Sequence, residues 1–248
     1  MPAPDSALRA AFEHATGGEP AADELAFYRS TLPGNGPSLA AMCGVGRLLV
    51  PLRAADCNVH GVDPSAAAIA ICEERLAAAG RTTPMFRQEP DELNLPFRYS
   101  AALIGGGALQ RIIDPTRAFA ALSRVRAHLV SPASLVVEVV IPPEVEHPPG
   151  AALIEVRTVT DARGAQIAWR SETRVDVEGR RVDRSNRYER REGRDIVARE
   201  DDRSAFTWYD EDEIGALLRS ADYRDVEVTA APWESRDGAR RFVAVGRI

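Results

Sequence analysis

The feature that most constrains this chain is a rhythm running through its first 141 residues, in which short apolar runs alternate with amphipathic helical patterns. Runs at 38–42, 58–62, 84–87, 101–104 and 135–141 (the last reading LVVEVVI) are strand-like. The intervening stretches carry apolar residues at helical spacing. Leu48, Leu49 and Leu52 follow the first strand in a helix expected to open at Arg47; Ile69, Cys72 and Leu76 follow the second. Phe119, Leu122, Val125 and Leu129 form the stripe of a helix that Asp114 and Pro115 open as cap and first-turn proline. Strands that are apolar throughout and separated by helices require a parallel sheet covered on both faces. A short helix over 23–32, with Asp23 as its cap, precedes the rhythm. Residues 1–22, rich in Ala, Pro and Gly, read as a flexible lead-in.

The rhythm breaks at Pro149-Gly150. Residues 151–205 alternate polar and apolar positions, dense in Arg and Glu, with turns near Gly164, Gly179 and Gly193. That pattern predicts an inserted antiparallel meander with one wet face. Helical spacing returns over 210–221 (Ile214, Leu217, Leu218), and strand-like segments follow at 226–228 and 241–245. The expected organisation is a core over 23–150 and 206–248, interrupted by an insertion that covers a substrate or forms a dimer surface.

In an open parallel sheet, ligands bind beyond the carboxyl ends of the strands. The run SLAAMCGVGRLLV places Cys43, Gly44, Val45 and Gly46 at the first such end, where backbone N–H groups at a helix start can approach a ligand. Asp63 ends the second strand, 20 residues further on, where a carboxylate can accept both hydroxyls of a ribose. Glu89 follows the third strand and can take an adenine amino group. Gly105, Gly106 and Gly107 leave space beyond the fourth. Together these four features point to an adenosine-containing ligand.

Composition removes several alternatives. The net charge of −6 disfavours nucleic acid as a partner, and no apolar run approaches the ~20 residues of a membrane span. The N-terminal residues do not read as a secretory signal, and Cys43, Cys57 and Cys72 form neither a disulfide framework nor a metal-ligand spacing; both fit a cytoplasmic setting. All 31 basic residues are Arg, which excludes Schiff-base chemistry on a lysine.

The segments AMCGVGRLLVPL, VHGVDPS, ALIGGGALQRIIDP and AFAALSRVRAHL resemble, in order and spacing, the class I S-adenosylmethionine-dependent methyltransferases. They are most similar to a bacterial small-molecule subgroup whose turn reads Met-Cys-Gly-small-Gly-Arg. The run FTWYDEDEI and the turn at Ala221-Asp-Tyr-Arg-Asp-Val resemble that group's last helix and the turn after it. The resemblance implies an α/β, doubly wound, mostly parallel seven-stranded sheet. It implies S-adenosylmethionine as cofactor, its methionine part over Cys43–Gly46, its ribose on Asp63 and its adenine near Glu89. Tyr28 resembles the aromatic lid over the methyl donor. The candidate cofactor contacts are thus Tyr28, Cys43, Gly44, Gly46, Arg47, Asp63, Ser65, Glu89, Gly105 and Gln110. Three positions depart from the family. Ala40 stands where an acid is usual, Ser100 where an Asp precedes the fourth strand, and Ser131-Pro-Ala-Ser134 where Pro-Gly-Gly precedes the fifth.

The expected reaction is methyl transfer to nitrogen, oxygen or activated carbon of a small molecule, with a homodimer as a further partner state. The acceptor is expected between Tyr28, Arg111 and the underside of the meander. The candidates for acceptor chemistry are Tyr28, Arg111 and His147, the last among prolines at the junction with the meander. His60 and His128 read as structural, and the tryptophans as packing residues. The alternative reading is a non-catalytic or repurposed protein with a degenerate cofactor site. A dinucleotide oxidoreductase is the third, disfavoured because Leu49 occupies the position of the third glycine.

Overall fold

In the computed structural model, residues 5–146, 152–161, 164–234 and 238–248 are described. The strands are β1 (Ser38–Ala41), β2 (Val59–Asp63), β3 (Met85–Arg87), β4 (Tyr99–Ile104), β5 (Leu129–Ile141), β6 (Leu153–Thr160), β7 (Gln166–Asp176), β8 (Arg181–Glu192), β9 (Asp195–Thr207), β10 (Arg224–Ala230) and β11 (Arg240–Arg247). The helices are α1 (Ala7–Gly17), α2 (Ala22–Thr31), α3 (Leu49–Ala54), α4 (Ala66–Ala78), α5 (Pro115–Ala127) and α6 (Glu211–Ser220).

Seven strands form one sheet in the order β10-β11-β5-β4-β1-β2-β3. Strands β3, β2, β1, β4 and β5 are mutually parallel, and β11 inserts antiparallel between β5 and β10. The strand order reverses at β1 and β4, so the crevice beyond their carboxyl ends is where such a sheet binds ligands. Every residue of β1 and β2 is buried, which is why these strands read as continuous apolar runs. Asp114 caps α5 through bonds from the Thr116 and Arg117 N–H groups, with Pro115 at its first position. Asp210 and Glu213 form a capping box on α6.

The insertion folds as a separate four-stranded antiparallel meander in the order β6-β7-β8-β9. Its end is tied to the core by Gln110, on the turn after β4. The Gln110 amide donates to the carbonyls of Val140 (2.8 Å) and Thr207 (2.9 Å) and accepts from the Val140 N–H (2.7 Å). The meander therefore meets the core at the end that carries the turn after β4.

Several expectations need correction. The lead-in contains α1, capped by the Ser6 hydroxyl, with Leu8, Ala10 and Phe12 buried. Its pattern is short and interrupted by alanines, and the apolar surface it buries against lies far off in sequence. One side packs Ala10 against Val45 and Ala68; the other packs Leu8 and Phe12 against Ile167, Trp169 and Tyr188 of the insertion. The helix after the first glycine turn starts at Leu49 rather than Arg47, because positive φ at Gly44 and Gly46 keeps the chain in tight turns. Helix α2 starts at Ala22, leaving Asp23 in its first turn. In α5 the buried stripe is Ala118, Ala121, Leu122 and Val125, while Phe119 is 41% exposed.

Candidate functional site

Two glycine turns flank the crevice, and their glycines divide into two kinds. A Cβ built on Gly46 would sit 2.4 Å from the Cys72 Sγ and 2.9 Å from Val50, and one on Gly105 would sit 2.3 Å from Leu48. Those two glycines exist for close packing. A Cβ on Gly44 (φ +55°) or Gly106 (φ +61°) would meet nothing within 4 Å among the described residues. Gly44 and Gly106 are thus the positions whose backbone is open to a ligand, one at the end of β1 and one at the end of β4.

Asp63 connects the first turn to the second strand. Its Oδ2 accepts from the Gly44 N–H at 2.8 Å and its Oδ1 from the Ser65 N–H at 2.9 Å. Each oxygen retains a lone pair for a further donor. Burial raises the Asp63 pKa against the lowering effect of these N–H groups. Ser65 caps α4 and donates from its hydroxyl to Asp5, whose carboxylate also accepts from the Ala66 and Ala67 N–H groups. The helix terminus is thus closed by the chain's own N-terminal segment. The Cys43 thiol lies in contact with Cys72, and that contact, together with burial, pushes its pKa well above the ordinary value.

Arg47 pairs with the buried Glu24 through both guanidinium nitrogens, pinning α2 beside the turn. Tyr28, one helical turn further along α2, is fully buried among Phe27 and Trp233. Its hydroxyl donates to Glu138 Oε2 at 3.0 Å, and burial followed by that carboxylate raises the phenol pKa well above 10.0. The same Oε2 accepts from the Gly106 N–H at 2.6 Å, and Oε1 pairs with Arg241 at 3.3 Å. Glu138 thereby supports the open turn from below. Nothing in the turn motifs signals it, although a single acid within LVVEVVI is a visible anomaly.

Other expected residues have different partners. Gln110 spends its amide on backbone groups, so its role is corrected from cofactor contact to the clip between core and insertion. Glu89 lies 3.4 Å from Arg117, which grips Asp91 at 2.6 and 2.8 Å. Arg111 is exposed and lies 3.4 Å from Glu13 on α1. Tyr28 belongs to the Glu138 network, and no contact joins it to Arg111 among the described residues. His147 lies outside the described residues. His128 accepts from the Leu95 N–H at 2.9 Å while its other ring nitrogen meets the Arg124 carbonyl at 2.8 Å, which makes it structural. His60 packs on Phe97 and Tyr99. No group of three or more His, Cys, Asp or Glu suited to a metal occurs among the described residues.

A second set of charges, missed by sequence reasoning, lies between α1 and the insertion. Arg9 bonds Glu13 at 3.0 Å and Asp202 at 3.3 Å, and Glu13 continues to Arg111. Burial would raise the Glu13 pKa, but Arg111 and Arg9 hold it below the usual glutamate value. These residues are up to 193 positions apart, so no local pattern announces them.

The sheet order, the two open turns and Asp63 find their match outside this chain. Residues 39–132 match the model of a methyltransferase domain. The fold is that of the class I methyltransferases. No curated protein sequence matches the chain, but solved structures of methyltransferases overlay on most of it. A sugar N-methyltransferase from Streptoalloteichus overlays with a TM-score of 0.71 at 20% identity, covering 96% of this chain and 92% of that one. The methyltransferase CcbJ of Streptomyces caelestis gives 0.70 at 17%, covering 98% of each. An S-adenosylmethionine-bound amino pentose methyltransferase from Micromonospora echinaspora gives 0.65 at 21%, covering 92% and 89%. S-adenosylmethionine, bound in the last of these structures, is the cofactor to compare with this crevice. The residues present suit it: an open backbone at Gly44 and Gly106, and a buried carboxylate with free lone pairs between them and α4.

Proposed function

We propose that this chain is a methyltransferase that moves the methyl group of S-adenosylmethionine to a polar small molecule held under the inserted sheet. The observation that carries the proposal is the pair of open turns at Gly44 and Gly106, the first bonded to Asp63, with α1 packed between Val45 of that turn and the inserted sheet. The sulfonium of the cofactor makes its methyl electrophilic, so the protein's task is alignment and exclusion of water. Asp63 offers its remaining lone pairs to the ribose hydroxyls, and Ser65 and Gly44 keep its carboxylate oriented. Glu138 and Tyr28 hold the second turn in place. Arg47, through Glu24, holds α2 against the first. Cys43, Glu89 and Gly105 line or support the same crevice.

The solved relatives named for amino pentose or sugar nitrogen methylation support a small-molecule acceptor. The packing of α1 between the first turn and the inserted sheet supports it too, since a macromolecular target needs an open approach. Titration calorimetry with S-adenosylhomocysteine tests the cofactor half: saturable binding is expected, weakened about ten- to a hundredfold by Asp63→Ala. Absence of binding at millimolar ligand would end the proposal.

A second reading, a repurposed protein on this fold, rests on Ala40. It is 1% exposed and packs with Tyr28, Leu48, Leu103 and Val136 in an apolar cluster, so no acid stands at that point of the crevice. The same calorimetry separates the readings, because a repurposed protein would bind neither cofactor product nor donor.

A further inference from the structure

We infer that Asp202 and Ser171, on the underside of the inserted sheet, recognise an amine-bearing, hydroxylated acceptor. This inference rests on the methyltransferase reading above and specifies the acceptor of that same site.

Register places Ser171, Asn186 and Asp202 side by side on adjacent strands β7, β8 and β9, forming one polar row across the sheet. All three are buried, at 0%, 6% and 3% exposure. The rows on either side are Trp169, Tyr188 and Glu200, and Thr173, Arg184 and Ser204; in them Glu200 accepts from the Leu8 N–H, Arg184 pairs with Glu144, and Ser204 takes the Asn186 amide. A polar row in such a face needs an account of its hydrogen bonds.

Asn186 has one. Its carbonyl accepts from the Trp169 indole at 3.1 Å and its amide donates to Ser204 at 3.1 Å. Its two neighbours do not. Asp202 Oδ2 receives Arg9 at 3.3 Å, but Asp202 Oδ1 and Ser171 Oγ have no partner among the described residues. A carboxylate oxygen and a hydroxyl left unpaired in a buried face are costly, and a donor-bearing ligand removes that cost.

Charge selects the kind of donor. Arg9 divides its positive charge between Asp202 and Glu13, so Asp202 is only partly compensated. An ammonium complements it with a charge-assisted bond, which a neutral hydroxyl cannot match. Ser171 Oγ, which can both give and accept, suits a hydroxyl of the same molecule. Position agrees as well. The chain Asp202–Arg9–Glu13–Arg111 leads from the row to the turn after β4, whose Gly106 opens on the crevice.

D-Glucosamine and D-glucose serve as probes on the full chain saturated with S-adenosylhomocysteine, read by saturation-transfer NMR titration. Glucosamine is expected to bind saturably and at least tenfold more tightly than glucose. Asp202→Asn should weaken glucosamine at least tenfold with unchanged affinity for S-adenosylhomocysteine, and Ser171→Ala at least threefold. Should Asp202→Asn fail to fold, as loss of S-adenosylhomocysteine binding would reveal, Ser171→Ala alone decides. No saturable glucosamine binding, equal binding of glucose, or variants indistinguishable from the parent would overturn the inference. Failure of the parent protein to bind S-adenosylhomocysteine would instead remove the methyltransferase reading, and this inference with it.

Discussion

The core sheet and the inserted sheet meet water differently, and they handle charge accordingly. Strands β1 and β2 are buried along their whole length, and the carboxylates the core admits, Asp63 and Glu138, are each held by backbone N–H groups. The insertion has one dry face and one wet face. Its outer surface carries Arg–acid pairs such as Arg181–Asp183 and Arg187–Asp201, while its underside holds the Asp202 and Ser171 row. A charge in the core or on the underside must therefore be explained atom by atom. A charge on the wet face needs no explanation, because water solvates it.

That contrast is broken most severely by placing an unpartnered charge in the core. Ala40→Asp introduces the acid usual at this point in the methyltransferases the chain resembles, yet the new carboxylate would lie among Tyr28, Leu48, Leu103 and Val136. The expected result is a loss of about 3 kcal/mol or more in unfolding free energy, measured by urea titration. A stable Ala40→Asp protein with tighter S-adenosylhomocysteine binding would show that the core tolerates charge as the insertion does. Glu138 shows what tolerance requires: Tyr28, Gly106 and Arg241 all serve one carboxylate.

The two glycines of the first turn sharpen the comparison at the scale of a methyl group. Gly46→Ala combines a left-handed φ of +79° with overlap on the Cys72 Sγ and Val50, and should cost about 2–4 kcal/mol of stability. Gly44→Ala has the strain without the overlap, so its stability cost should be about 1 kcal/mol. Its larger effect should appear in calorimetry, as weaker S-adenosylhomocysteine binding, because its Cβ enters the open side of the turn. Equal effects of the two variants on both measurements would abolish the distinction between packing and ligand-facing glycines.

The part of the fold that sequence makes legible follows from the same physics. Continuous apolar runs, the Asp114-Pro115 cap and the glycine turns are local, so the parallel sheet, the meander and the crevice can be read from short stretches. Asp63 is legible because it ends a strand at a fixed distance from the turn it serves. Helix α1 is not, because its stability comes from Trp169, Tyr188 and Ala68, which its own residues cannot announce. Gln110 is misread for a related reason: its backbone partners, Val140 and Thr207, are 30 and 97 positions away. Glu138 lies between these cases, visible as an anomaly but without a visible partner.

Acid titration separates the two regions by sign. Glu13 has a folded-state pKa below its ordinary 4.5, so its contribution to stability is present above about pH 4.5 and is lost as pH falls through the folded value. Asp63 has a folded-state pKa above its ordinary 3.8, so its contribution is greatest below about pH 3.8 and is lost as pH rises through the folded value. Urea titrations between about pH 3 and 6 should therefore diverge. Relative to the parent, Glu13→Gln should lose least at the acid end, and Asp63→Asn should fare best at the neutral end. Parallel curves would mean that α1 does not hold Glu13 between Arg9 and Arg111.

The smallest effect belongs to the wet face of the insertion. Arg181 meets Asp183 on its own strand at 2.7 Å, with both side chains about half exposed. That proximity raises the Arg181 pKa, but the group was already charged at every physiological pH, so the shift changes no protonation state. What remains is a screened attraction offset by the entropy of holding two side chains in place, which for exposed pairs nearly cancels. Arg181→Ala should leave the thermal midpoint within about 1 °C of the parent at low and high salt alike. A drop of several degrees would show that the outer face is buried in solution. The half-exposed Ile154 and Val156 on the edge strand β6 would then be the next positions to test against concentration-dependent assembly.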